Sequence, residues 1–181
     1  MMRFVVCCLL AISLALPLHA RALSDTEQTE LMAAVDGYLR ATGAGDAEKI
    51  VATIPPRILN VFSGSSGIEA SQVQKTLTAQ TSDLLKTTKF SEFQASKGPF
   101  DAQDTALADG VKVTWVVVPT EFTVETDGKK TRNSQPLLAL FEEGKWYFTR
   151  IDGPQQQQIV AMAYPFIAEA NLPAASSIPL E

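Results

Sequence analysis

Cysteine and histidine are nearly missing from this sequence. Its 181 residues hold two cysteines and one histidine, and Cys7, Cys8 and His19 all fall near the N-terminus. They lie in a stretch with the form of a secretory signal: a basic start at Met1-Met2-Arg3, an apolar run from Phe4 to Leu16, then Pro17 and an A-x-A site at Ala20-Arg21-Ala22. This pattern predicts a leader over residues 1–22, cleaved near Ala22, and hence a secreted or periplasmic protein. The apolar run is too short to cross about 30 Å of hydrocarbon, so no membrane span is expected after cleavage. A lipoprotein is not expected either, because neither Val6 nor Cys7 is the small residue that precedes an acylated cysteine.

With the leader gone, the chain has no cysteine and no histidine. That excludes a disulfide, a thiolate nucleophile, Ser-His-Asp and Cys-His triads, and zinc or haem held by His or Cys. No D-x-[DN]-x-[DN]-G loop supplies calcium ligands, and Gly64-Ser65-Ser66-Gly67 lacks the phosphate-cradle pattern and reads as a loop. No metal and no cofactor are therefore expected. Positive charge is scarce as well. The leader takes two of the 15 Lys and Arg and none of the 20 Asp and Glu, so the remainder carries a formal charge near −7. Scattered basic residues on an acidic chain lack the footprint of a nucleic-acid binder.

What is present is a block of helices followed by strands. Ser24-Asp25-Thr26-Glu27 has the form of a capping box, and Leu31, Val35, Tyr38 and Leu39 then recur on one helical face until Gly43 and Gly45 end the run. Asp46 starts a second helix with Ile50, Val51 and Ile54 facing inward, stopped by Pro55-Pro56. Pro56 opens a short helix carrying Ile58, Leu59 and Phe62, and Val73, Leu77, Leu84 and Leu85 mark another over residues 68–86.

After Lys89 the period changes towards two. Phe90 to Ala95 forms a weaker strand; Val111, Val113, Trp115 and Val117 alternate as in a half-buried one. Beyond Pro119 the apolar positions become Phe122 and Val124, a slip that predicts a β-bulge at Val118 to Thr120. Asp127-Gly128 and Glu143-Gly144 are turns joining the strand before them to Leu137–Phe141 and then to Lys145–Ile151. Gly153-Pro154 opens a last helix with Ile159 and Met162, and residues 171–181 read as a flexible tail. Helices first and an antiparallel meander after them is the α+β pattern.

The corner Tyr38-Leu39-x-Ala41-x-x-Ala44-Gly45-Asp46-x-x-x-Ile50-Val51-Ala52 resembles the first-helix corner of the NTF2-like superfamily, which includes the ketosteroid isomerases and the SnoaL-like cyclases. The strand order, the Asp127-Gly128 hairpin and Gly144-Lys145-Trp146-Tyr147-Phe148 also resemble it. The resemblance implies, for residues 23–170, N-terminal helices packed in a curved antiparallel sheet, a cone with a pocket at its open end, and a C-terminal helix. It places Tyr38 where the family's oxyanion tyrosine sits. The family's base and second acid have no counterpart, since Asn60-Val61-Phe62-Ser63-Gly64 and Leu137 to Leu140 contain no carboxylate. An oxyanion donor without a base lowers no barrier to proton abstraction, so no catalytic residue is expected.

Four residues remain as ligand-binding candidates. Tyr38 is either a core tyrosine or a hydroxyl aimed into the pocket. Arg57 serves the surface or grips an anionic group at the pocket mouth. Trp115 is core or pocket wall. Arg150 shares an apolar strand face with Trp146 and Phe148 and requires a carboxylate, with Asp152 and Glu121 in reach, or a ligand. Glu142 and Glu143, adjacent at a turn, read as solvated.

Two functions are therefore expected as rivals. One is non-catalytic binding of a small apolar ligand, or of a protein partner; the other is an isomerase, dehydratase or cyclase acting on a small carbonyl compound with Tyr38 as donor. Lys112, Thr114, Val116 and Val118 would form the mixed outer face of a homodimer.

Overall fold

A computed structural model of the chain describes residues 20–181; the expected leader, apart from its last three residues, lies outside the described residues. The order is β1 (Ala20–Ala22), α1 (Asp25–Ala44), α2 (Ala47–Val51), α3 (Pro56–Ser66), α4 (Ala70–Thr87), β2 (Thr88–Ala95), β3 (Asp101–Ala106), β4 (Lys112–Thr126), β5 (Lys129–Glu142), β6 (Lys145–Arg150), α5 (Pro154–Ala163), a 3₁₀ turn (Pro165–Ala168) and β7 (Ser176–Leu180). The described residues thus form an α+β fold of five helices and one open, seven-stranded antiparallel sheet. None of these helices is long and apolar enough to cross a membrane.

β4 and β5 form the spine of the sheet. They pair without interruption from Thr114 opposite Phe141 to Thr126 opposite Lys129, closed by Asp127 and Gly128 at φ 52° and 74°. Positive φ at both turn residues gives the hairpin the twist of its strands, and Asp-Gly tolerates it. Along one edge of β4 lie β3 and then β2; along the far edge of β5 lie β6 and then β7. β1 closes one end of the sheet against β3, and β6 is left at the other.

The bulge expected at Val118 to Thr120 is absent. Pro119 lies directly opposite Pro136 with the register unbroken, which is a position where neither residue owes its partner an N–H. The outer ladders also change over there, from β3 to β2 beside Pro119 and from β6 to β7 beside Pro136, so few ladder donors are needed. The apparent slip arises because β4 is buried on both faces before Pro119. Val116 and Val118 join Leu31, Val35 and Tyr38 under α1, while Val113 and Trp115 join Ile58, Val160, Tyr164 and Ile167 on the opposite side. The true bulge is on β2, where Glu92 and Phe93 together face Phe122 and Glu92 adopts φ 53°.

Burial of Val116 and Val118, at 1% and 0% exposure, corrects the expectation of a dimer face on that side of β4, which is interior. Gly43 does not end α1 but sits within it, and a Cβ there would come to 3.1 Å from the Phe93 ring. Only Gly45, at φ 71°, caps the helix. α3 likewise continues through Gly64 to Ser66 and is capped by Gly67. The tail expected to be flexible adds β7 to β5, although every residue of that strand is exposed. β3 was not anticipated, because Asp101-Ala102-Gln103-Asp104-Thr105-Ala106 has little apolar content and only Ala102 is buried.

The N-terminal side is fastened by ions. Ser24 and Glu27 complete the capping box, and Arg21 bridges Glu27 at 2.7 Å and Asp104 on β3 at 2.6 Å. The Arg21 guanidinium, helped by the Ser24 N–H, holds the Glu27 carboxyl down at about 2. A carboxyl lowered in the folded state stabilises the fold above its ordinary value, and that contribution disappears as the pH falls from about 4.5 through about 2. Replacement of Arg21 by Ala is therefore expected to raise the Glu27 midpoint towards 4.5 in an NMR titration, and to move the acid-unfolding edge to higher pH.

Candidate functional site

At the β6 end of the sheet, α2, α3, α4 and α5 come round the strand edge and enclose a partly open cavity of about 250 Å³. One backbone bond fastens this arrangement: Phe148 N–H donates to Thr53 O at 2.7 Å, tying the end of the α2 segment to β6. Ile50, Ile54, Phe62, Leu77 and Ile159, from four helices and the α2–α3 turn, form the apolar wall. Tyr38, Thr53, Ile58, Phe148, Thr149, Arg150, Gln156 and Val160 complete the lining, which holds no carboxylate.

Two of the four candidates meet here. Tyr38, on α1, lies with its ring 5.5 Å from that of Phe148 and makes no side-chain hydrogen bond among the described residues. Arg150 extends from the end of β6 along the α1 face of the sheet, its Cζ 4.7 Å from the ring centroid of Phe122, 5.7 Å from that of Tyr38 and 5.9 Å from that of Phe90. Neither carboxylate expected for it pairs with it. Glu121 binds Arg132 at 3.3 Å, and Asp152 lies with Gln156, whose Oε1 accepts from the Asp152 N–H at 2.5 Å.

The other two lie elsewhere. Trp115 faces the opposite side of the sheet, stacked on Phe166 at 5.4 Å with Nε1 donating to Thr105 Oγ1 at 3.3 Å. It walls a separate groove of about 560 Å³ with Gln103, Pro119 and Asn171. Arg57 is held by two acids, with Nε on Glu142 and Nη2 at 2.7 Å from Asp109.

Glu142 is not solvated, as its place beside a turn had led us to expect. Its side chain is 6% exposed and accepts from both Arg57 and the Tyr164 hydroxyl, the latter at 2.7 Å. Burial, then the hydrogen bond to Glu142, push the Tyr164 phenol far above its ordinary range, so it stays a donor at all working pH values. The signal for Glu142 lies in its parity with Leu138 and Leu140, both buried on that face. Ile54, Phe62, Leu77 and Ile159 had each been placed on an inward helical face; only their convergence was hidden.

Removing Arg57 strips a buried carboxylate of its cation. We expect Arg57→Ala to cost about 2–4 kcal/mol and Tyr164→Phe about 1.5–3 kcal/mol, both read as a lowered urea midpoint at unchanged slope, with Glu142→Gln milder because both contacts can persist. No family model, curated protein or solved structure matches this chain, so the site is read from its own geometry.

Proposed function

We propose that this chain is an exported domain of NTF2-like architecture that binds a small, largely apolar ligand in the cavity beside β6, without catalytic machinery of its own. The observation that carries the reading is that cavity: an apolar wall from separate helices, a few polar groups at one side, and no carboxylate, cysteine or histidine. The helices that approach β6, and the bulge on β2 that bends the sheet edge, support the cone architecture that the Tyr38–Ala52 corner resembles. The rival reading, an enzyme using Tyr38 as a donor to a carbonyl compound, needs an acid or base beside the ligand, and no acidic side chain lines the cavity.

The volume sets the ligand's size at on the order of ten non-hydrogen atoms, given about 30 Å³ for a water-sized group. In a thermal-shift screen of straight-chain and aromatic compounds of that size, a ligand at 100 times its Kd should add about 2.7 kcal/mol, a rise of roughly 5–10 °C in Tm. Leu77→Trp, which fills the cavity from α4, should abolish the rise and keep the fold. Absence of any shift with every class of compound, or shifts that survive in the Trp variant, would overturn the reading.

Export carries its own expectation. A cut after Ala22 would remove β1 and take Arg21 from Glu27 and Asp104, whereas a cut after Ala20 keeps that bridge. The bridge therefore moves the expected boundary from Ala22 back to Ala20, and mass spectrometry of the secreted protein is expected to find Arg21 as the first residue; a chain starting at Leu23 would contradict this.

A further inference from the structure

Charge sets Arg150 apart. Four arginines among the described residues are half-buried: Arg21, Arg57, Arg132 and Arg150. Each of the first three touches two carboxylates, Arg21 with Glu27 and Asp104, Arg57 with Glu142 and Asp109, Arg132 with Glu92 and Glu121. Arg150 touches none and makes no side-chain hydrogen bond among the described residues, although it sits among Phe122, Tyr38 and Phe90. Stacking on a ring satisfies the flat face of a guanidinium and leaves its five N–H groups, which point outward in its plane, without an acceptor. None of its nitrogens is among the buried atoms that lack a partner, so these donors stay accessible to solvent, and Arg150 is one of the residues that line the cavity.

From this arrangement we infer that the ligand of the β6 cavity is a small amphiphilic carboxylate, its apolar body against Ile54, Phe62, Leu77 and Ile159 and its carboxylate on the edge of Arg150. The inference rests on the cavity reading above and adds the ligand's charge. One guanidinium offers a planar fork that matches the two oxygens of one carboxylate. Tyr38, on the same wall, brings a hydroxyl with no other acceptor among the described residues. A doubly charged phosphate would find a single cation there, in a chain that is acidic overall. The aromatic surround lowers the local dielectric, which strengthens the charge pair relative to water and favours a ligand whose remainder is apolar. Glu121 pairs with Arg132 and the exposed Asp152 carboxylate accepts only from Gln156 Nε2, at 3.5 Å, so neither acid touches Arg150.

The test compares octanoate with 1-octanol, which match in chain length and differ in charge, by titration calorimetry at pH 7 and by ¹⁵N NMR of the secreted protein. Octanoate is expected to bind at least tenfold more tightly, to lose affinity with added salt, and to shift the amides of Thr149, Arg150 and Gln156. Arg150→Met should erase the preference and retain octanol binding, Arg150→Lys should restore part of it, and Tyr38→Phe should weaken octanoate several-fold and octanol little. Equal affinities of the wild-type protein for the two compounds, or a preference that persists in Arg150→Met, would overturn the assignment of charge and leave the cavity reading standing. If neither compound shifts any cavity amide, the cavity reading falls and takes this inference with it. Should Arg150→Met fail to fold, the wild-type comparison and its salt dependence decide alone.

Discussion

The rest of the structure depends on the long pairing of β4 with β5. Because Leu137 and Ala139 face one way and Leu138 and Leu140 the other, and all four are buried, the centre of the sheet needs cover on both sides. α1 supplies it on one side. On the other, Val160, Tyr164 and Ile167 come from α5 and the segment after it, and Ile58 comes from α3. A chain that covers both faces of a sheet must pass round an edge, and here it does so at β6 by way of α2 and α3. Helices rounding a strand edge cannot fill the corner as closely as side chains fill a layer, and the cavity lies in that corner.

Buried charge follows the same geometry. Glu142 continues the inward parity of Leu138 and Leu140, so its carboxylate arrives beneath α3 and α5, and two donors from different elements, Arg57 and Tyr164, meet it there. A carboxylate in that position without both donors would be costly, and the network in turn fastens α3 to the sheet and to the segment following α5. Arg150 has the same kind of position on the α1 face but no such answer from the protein. Its surroundings are rings, not acids, and the residue is part of the cavity lining. The two ends of the β5–β6 hairpin thus differ: one charge is neutralised by protein groups and the other has no carboxylate partner among the described residues.

Much of this fold was legible in the residues, and particular errors show where the limits lay. The capping box at Ser24, both Gly-containing hairpin turns and the Pro-initiated α3 are local, set by the chemistry of three or four neighbouring residues, and each is present. Pro119 was misread because alternation reports burial on one face, and a strand covered on both gives a mixed pattern that mimics a change of register. Gly43 was read as a helix stop, whereas its cause is tertiary: the bulge on β2 carries Phe93 against α1, and no Cβ fits between them without displacement. Polar β3 is held between β4 and the distant β1, and polar β7 by the distant β5, with little apolar alternation of their own to mark them.

For the candidate site the division is sharper. The sequence by itself determined which chemistries are closed to residues 20–181, since every cysteine and histidine lies before them, and it marked Arg150 as a cation on an apolar strand face. It also identified much of the inward faces of the helices, because helical periodicity is a property of each segment, although Leu84 and Met162, which share that pattern, are exposed. Only the tertiary structure decided that Arg57 is bound by Glu142 and Asp109, that Trp115 looks away from Tyr38, and that neither Asp152 nor Glu121 reaches Arg150. The reason is physical: whether a charge is paired depends on distances of a few ångströms between elements far apart in the chain, and those are fixed by packing, not by spacing along it.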